Sequence, residues 1–200
     1  MRKYSQNSED MTLRVYFNGY TGRLLSIGEN DGITLSNARA LIELGWEADL
    51  VEPSPTAYAM LEMLYKGNDK VKTHKLAIAD KNGSVELLDM GSHLGRGDTS
   101  LLATILPSET SRWVGTDFIP VKVKAMTLTK FVKDKLPYDF ISIDAEGMDL
   151  TILQQVDFTD VKCICIEWNN KPEIAAAIRA LVPDRFREIY RSLENLIFAL

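Results

Sequence analysis

Short apolar runs separated by polar turns set the pattern along this chain. Leu24-Leu25-Ser26-Ile27, Ala48-Asp49-Leu50-Val51 and Phe140-Ile141-Ser142-Ile143 have the length and composition of buried strands, as does the near-continuous run 161–168. Between them apolar residues recur at helical spacing. Leu35, Ala38, Leu41 and Ile42 predict a helix ending at Gly45. Ser54 and Pro55 open another as N-cap and N1, running to about Lys66 before Gly67. Leu128, Phe131, Val132 and Leu136 mark a helix stopped by Pro137, 149–155 reads as a short one, and Ile174, Ile178 and Leu181 share one side of a helix over 172–181.

The remaining segments fit around these. Residues 71–79 read as a third strand, Lys81-Asn82-Gly83-Ser84 as a hairpin turn and 85–90 as the returning strand. Val121, Val123 and Ala125 alternate with lysines as a half-exposed strand, and 186–191 and 196–200 form two last strands around a turn. Residues 1–23 are a polar appendage whose cluster at Met11, Leu13, Val15, Tyr16 and Phe17 suits a short docking helix. Residues 91–120 lack periodicity and read as an irregular insertion near the active-site crevice. Alternating strands and helices imply right-handed crossovers and a mostly parallel sheet, with an antiparallel hairpin at the C-terminal edge. With no internal repeat, one α/β domain over 1–200 is the expectation.

Composition narrows the function classes. The net charge is −5 and lysines and arginines are scattered, which argues against a broad nucleic-acid surface. No apolar stretch reaches the roughly 18 residues of a membrane span, and the N-terminus lacks a signal-peptide core, so the expected location is cytoplasmic. Cys163 and Cys165 lie two apart on one strand and face the same way, as buried thiols of a reducing compartment. His74 and His93 are too few and too far apart for a zinc site, and no metal is expected.

The first strand runs into Gly28-Glu29-Asn30-Asp31-Gly32. Strand, glycine turn and helix in that order form a nucleotide-cofactor loop, in which Gly28 allows a sharp turn, Gly32 a close approach to a ligand, and the helix N-terminus offers free N–H groups. The spacing is G-x-x-x-G rather than G-x-G-x-x-G, so an ordinary strand-to-helix turn would explain the loop alone. Glu52 ends the second strand 24 residues after Gly28, where such folds place the carboxylate that holds ribose hydroxyls. Together the two features point to an adenosine-type cofactor.

Acids also mark other strand ends: Asp144 with Glu146, and Glu167. In Ile143-Asp144-Ala145-Glu146-Gly147-Met148-Asp149 a carboxylate pair at i, i+2 can point into a crevice, with Gly147 freeing the turn. Alternatively Asp149 caps the next helix and Asp144 braces the loop.

Taken together, Ser26-Ile27-Gly28-Glu29-Asn30-Asp31-Gly32, Val51-Glu52-Pro53, Leu76-Ala77-Ile78-Ala79-Asp80 and Ile143-Asp144-Ala145-Glu146-Gly147 resemble the FkbM family of S-adenosylmethionine-dependent methyltransferases. Tyr4-Ser5-Gln6-Asn7-Ser8-Glu9-Asp10, Thr127-Leu128 and Asn195-Leu196-Ile197-Phe198 are similar to further family segments, so the likeness spans nearly the whole chain. It implies a Rossmann-like class I methyltransferase fold, with a mostly parallel seven-stranded sheet and helices on both faces. By resemblance, Gly28, Glu29, Asn30, Asp31 and Gly32 line the methionine and ribose part of the cofactor. Glu52, followed by Pro53, bonds the ribose, Ala77, Ile78 and Asp80 border the adenine, and Asp144 stands beside the sulfonium. The family usually has an acid where Ser26 stands and a small residue where Glu29 stands. The first departure is expected to weaken cofactor binding and the second to put a charge near the cofactor.

The resemblance also implies O-methylation of a hydroxyl on a sugar, glycan or small metabolite. Such a hydroxyl needs a base within hydrogen-bond reach. Glu146 is the first candidate, followed by Asp144 and His93. Thr99 and Ser100 either shape the acceptor pocket or cap the short element over 101–106, and Gln6, with Asp10, is expected to fold over the cofactor. Two other classes remain open at this point: an NAD-dependent oxidoreductase using the same Gly28-to-Glu52 geometry, and a domain that binds cofactor or partner without catalysis.

Overall fold

The structure, a computed structural model, describes residues 2–93 and 100–200, the side chains of Ser92 and His93 apart. Helix α1 (Glu9–Phe17) precedes strand β1 (Arg23–Ile27), then α2 (Arg39–Glu43), β2 (Glu47–Val51), α3 (Pro55–Leu64) and β3 (Val71–His74). Next come β4 (Ala77–Ile78), β5 (Gly83–His93), a 3-10 turn (Pro107–Arg112) and β6 (Thr116–Met126). The chain ends with α4 (Leu128–Val132), β7 (Phe140–Ile143), α5 (Asp149–Leu153), β8 (Cys163–Glu167), α6 (Pro172–Leu181), β9 (Arg187–Arg191) and β10 (Asn195–Ala199). A seven-stranded sheet runs in the order β3-β2-β1-β7-β8-β10-β9, parallel except where β10 lies antiparallel to both β8 and β9.

Strand periodicity sorts the core onto two faces. Leu25, Ile27, Ile141, Ile143, Ile164 and Ile166 pack with Leu128, Phe131, Ile152 and Ile178 from α4, α5 and α6. Their sequence neighbours Leu24, Phe140, Cys163 and Cys165 pack with Leu13, Leu41 and Leu61 from α1, α2 and α3. Helices therefore cover both faces, and the two cysteines are free, buried and on the same face. Among the described residues no helix is long and apolar enough to cross a membrane.

Three expectations are corrected. The stretch 71–79 is not one strand: β3 pairs with β2, while β4 crosses to a separate three-stranded sheet ordered β4-β6-β5. The Asn82-Gly83 turn does not fold β5 back on that stretch. Instead β5 pairs antiparallel with β6 from Gly83–Ala125 to His93–Thr116, which takes strand into both ends of the supposed irregular segment. The helix after the glycine loop begins only at Arg39, because Asn30 and Leu35 adopt left-handed φ of 53° and 57° and Ser36 Oγ accepts from Arg39 N–H at 2.9 Å.

The polar N-terminal motif has a structural reason. Asp10, fully buried, accepts from Tyr4 N–H (2.9 Å) and the Ser5 hydroxyl (2.6 Å). Glu9, also fully buried, accepts from the Ser192 hydroxyl (2.7 Å) and Asn195 Nδ2 (3.3 Å). The pair fixes the first residues to the β9–β10 turn, and hydrogen bonds hold the Glu9 carboxyl below its ordinary range against the opposing effect of burial.

Candidate functional site

A cleft of about 330 Å³ lies beyond the carboxyl ends of β1, β2, β7 and β8, the expected place for a ligand in an open α/β sheet. Its floor is the β1 turn. Gly28 has φ 80°, and a Cβ there would stand 1.7 Å from the Asp144 carbonyl oxygen. Only glycine lets the β1 and β7 ends meet so closely. The turn is held by Gly28 N–H donating to Val51 O (2.9 Å) and Asp144 N–H donating to Ile27 O (3.0 Å).

One wall carries Glu29 and Glu52. The Ser26 and Ser36 hydroxyls each donate to a Glu29 carboxylate oxygen at 2.5 Å. The carboxylate missing from position 26 is thus present beside it, carried three residues downstream. Burial pushes the Glu29 carboxyl up to about 7, against the two serine bonds. Glu52 Oε2 accepts from Asn30 N–H and Oε1 from Ser54 N–H, both at 2.8 Å. Each oxygen keeps a lone pair for a further donor. Burial raises this carboxyl to about 8, with the two N–H donors opposing. Leu76, Ala77, Ile78 and Leu87 give the cleft an apolar side.

The other wall is the β7–α5 turn. Asp149 accepts from Ala145 N–H (2.9 Å) and Gly147 N–H (3.1 Å), and Thr104 Oγ1 donates to Glu146 O (2.8 Å). Glu146 at φ 43° and Gly147 at φ 100° turn the chain so that Asp144 and Glu146 both line the cleft, where Glu167 joins them from the end of β8. Desolvation in the cleft and mutual repulsion raise the carboxyls of Asp144, Glu146 and Glu167 above their ordinary range.

Of the sequence-derived candidates, Gly28, Glu29, Asn30, Glu52, Pro53, Ala77, Ile78, Asp144, Glu146, Gln6 and Ser100 line this cleft. Asp31, Gly32 and Asp80 do not. Asp31 braces its own turn by accepting from Ile33 N–H (2.8 Å) and Thr34 N–H (2.6 Å). A Cβ on Gly32 would meet Leu61 Cδ1 at 2.7 Å, so this glycine makes room for α3 rather than for a ligand. Asp80 is exposed beyond β4. Asp10 buttresses the N-terminal segment and is absent from the cleft lining. His93 ends β5, but its side chain, like the whole of Thr99, lies outside the described residues. Glu167, visible in the sequence only as an acid at a strand end, joins the lining, as do Ser36, Asn37 and Asn169, which no sequence motif marks. Trp113 reaches the cleft, whereas Trp168 is buried and donates to Ser192 O (3.0 Å).

A parallel sheet with the reversed strand β10 near one edge, and a ligand cleft at its carboxyl ends, defines the class I S-adenosylmethionine-dependent methyltransferase fold. Solved structures of that class match it. They include a METTL16 methyltransferase domain (12% identity, TM-score 0.51, 95% of this chain and 63% of that one) and a putative RNA methyltransferase from Pyrococcus horikoshii (13%, 0.52, 96% and 82%). A third is Aeropyrum pernix fibrillarin with natively bound S-adenosyl-L-methionine (11%, 0.50, 91% and 68%). The chain thus spans less than two thirds of the METTL16 structure's length, and at such identities the likeness concerns the fold alone. Curated proteins gave no match. The methyltransferase FkbM domain model matches residues 26–198, so the chain belongs to the FkbM methyltransferase family and its cofactor is S-adenosylmethionine.

Proposed function

We propose that the cleft binds S-adenosylmethionine and transfers its methyl group to a hydroxyl of a sugar, glycan or other small metabolite. The observation that carries this reading is the division of the cleft into two chemically different walls. Glu29 and Glu52, with the apolar side at Leu76, Ala77, Ile78 and Leu87, suit an adenosine that bears a cationic chain. Asp144, Glu146 and Glu167 stand together on the other side. When bound, the cofactor supplies an electrophilic methyl group on a sulfonium.

Glu52 keeps its two free lone pairs for the ribose hydroxyls, while Ala77 and Ile78 face the base. Asp144, at the β7 end against Gly28, favours positive charge at the junction of the two walls. Glu146 receives the acceptor's proton, because its left-handed turn holds the carboxylate at the crevice. Gln6 and Ser100 flank the acceptor. The net charge of −5 and the scattered basic residues favour a neutral or cationic small acceptor over a polyanion.

The test is transfer of labelled methyl from S-adenosylmethionine to pooled hydroxylated metabolites and oligosaccharides, with RNA as a parallel arm. Label in the carbohydrate or metabolite pool, lost in Glu146→Gln while S-adenosylhomocysteine affinity stays, is the expected result. Label in RNA alone would overturn the acceptor class, and turnover undiminished in Glu146→Gln would overturn the base.

A further inference from the structure

Three carboxylates, from Asp144, Glu146 and Glu167, offer one oxygen each within 4.8 Å of one another. Like charges packed this tightly are unfavourable unless something positive joins them. The groups around them do not suffice. Among the described residues no hydrogen bond reaches any of the three carboxylates, and Glu167, only 8% exposed, has its Oε2 buried without a partner. Asp149, the next acid, already accepts two backbone N–H groups. Arg112, the cation that offsets Glu146 and Glu167, is bonded to Glu109 at 2.5 Å.

We propose that Asp144, Glu146 and Glu167 form a binding site for a hard divalent cation of the Ca2+, Mn2+ or Mg2+ class at the acceptor side of the cleft. All three donors are carboxylate oxygens, the preference of such ions, and no soft thiolate or imidazole accompanies them. Oxygens bound to one Ca2+ at its usual bond lengths lie no more than about 4.6–5.2 Å apart, and the three carboxylates offer oxygens within 4.8 Å of one another, the separation such a site needs before the side chains close on an ion. Around Mg2+, with bonds of about 2.1 Å, the corresponding limit is about 4.2 Å. Histidine and cysteine spacing in the sequence gives no sign of such a site. This donor set comes from two different strand ends that only the fold brings together.

The site deepens the proposed function and rests on it for its chemical role. Three carboxylate ligands leave about three positions of an octahedral ion for water and for an acceptor oxygen. A hydroxyl bound there becomes more acidic. Its proton passes to the non-ligating oxygen of Glu146 and on to water. The acceptor oxygen's lone pair then forms the O–CH3 bond as the S–CH3 bond breaks, and that bond's electron pair stays on sulfur as a neutral thioether. The cation is neither oxidised nor reduced.

The experiment uses the full chain stripped with chelator. Free Mn2+ is followed by electron paramagnetic resonance, and S-adenosylhomocysteine binding by calorimetry on the same sample. The expected result is one Mn2+ per chain, displaced by Ca2+ or Mg2+ and weakened at least tenfold in both Glu167→Gln and Glu146→Gln, each with a native-like thermal transition. S-adenosylhomocysteine binding without saturable Mn2+ uptake up to about 1 mM, the weak end for such sites, would overturn the cation site and leave the methyltransferase reading in place. Undiminished Mn2+ uptake in both variants would also overturn it. Mn2+ uptake that depends on these residues, without S-adenosylhomocysteine binding, would uphold the cation site and overturn the cofactor reading.

Discussion

Replacing Glu29 by glutamine is expected to stabilise the protein without cofactor at neutral and higher pH. Glu29 is 3% exposed, and its only direct partners among the described residues are the neutral hydroxyls of Ser26 and Ser36. Burial raises its carboxyl from an ordinary 4.5 to about 7. The folded state therefore holds this proton more tightly than the unfolded state does. Folding stability falls as pH rises from about 4.5 and levels off above about 7. That interval of 2.5 pH units corresponds to about 3 kcal/mol at 1.36 kcal/mol per unit. Glutamine fills the same space and mimics the protonated acid. Glu29→Gln should match the wild type near pH 4 and exceed it by about 3 kcal/mol near pH 8, or roughly 6–12 °C in melting temperature for a chain of this size. The assay is denaturant unfolding of both proteins across that range. Other titrating groups are common to the two, so the difference isolates position 29. A difference that stays flat between pH 5 and pH 8, or a variant less stable at pH 8, would refute the reasoning. The same variant should lose more affinity for cationic S-adenosylmethionine than for neutral S-adenosylhomocysteine, read by calorimetry.

Other perturbations follow from the same geometry. Gly28→Ala places a Cβ against the Asp144 carbonyl at a left-handed φ and should destabilise by about 3 kcal/mol or more, read as a lowered denaturant midpoint. Asp49, 1% exposed, accepts from His74 and Lys135 (2.6 Å each), Tyr138 (2.8 Å) and Arg23 (3.2 Å), and these partners hold its carboxyl far below the ordinary range despite burial. Its contribution is present above about pH 4 and lost as pH falls. Asp49→Asn should therefore lower unfolding free energy by about 3 kcal/mol at pH 7, with the difference beginning to shrink below about pH 4 and most of it persisting at pH 3. Glu9→Ala should cost about 2–3 kcal/mol and speed amide exchange across 4–10, since it frees Ser192 and Asn195 from the N-terminal segment.

The sheet was legible because its strands are fully buried runs with alternating faces. Leu24 and Leu25, or Cys163 and Ile164, announce two covered sides by themselves. Helix α6 matches its predicted bounds, with Pro172 at its first turn and Ile178 in the core. What local pattern could not carry was long-range pairing. Asn82-Gly83 is a strong turn signal, but β4 has only two residues and β5 finds its partner in β6, beyond the 3-10 turn. Leu35 misled in another way: its helical spacing to Ala38 is real, yet it is 44% exposed in a left-handed loop residue, and the core begins at Ala38. The site divides similarly. Strand-end acids were visible as such, whereas the reach of Glu29 back to Ser26 and the meeting of Glu167 with Asp144 depend on side-chain placement across the fold.

The central claim is that this cleft holds S-adenosylmethionine through Glu52. Calorimetric titration of S-adenosylhomocysteine into the wild type and into Glu52→Ala, with NAD as a parallel ligand, tests it most directly. The account predicts saturable one-to-one binding to the wild type, no heat from NAD, and an affinity at least tenfold weaker in the variant, since two charge-assisted bonds are worth about 1.5–3 kcal/mol each. Silence of the wild type with S-adenosylhomocysteine, or equal affinity in the two proteins, would contradict it.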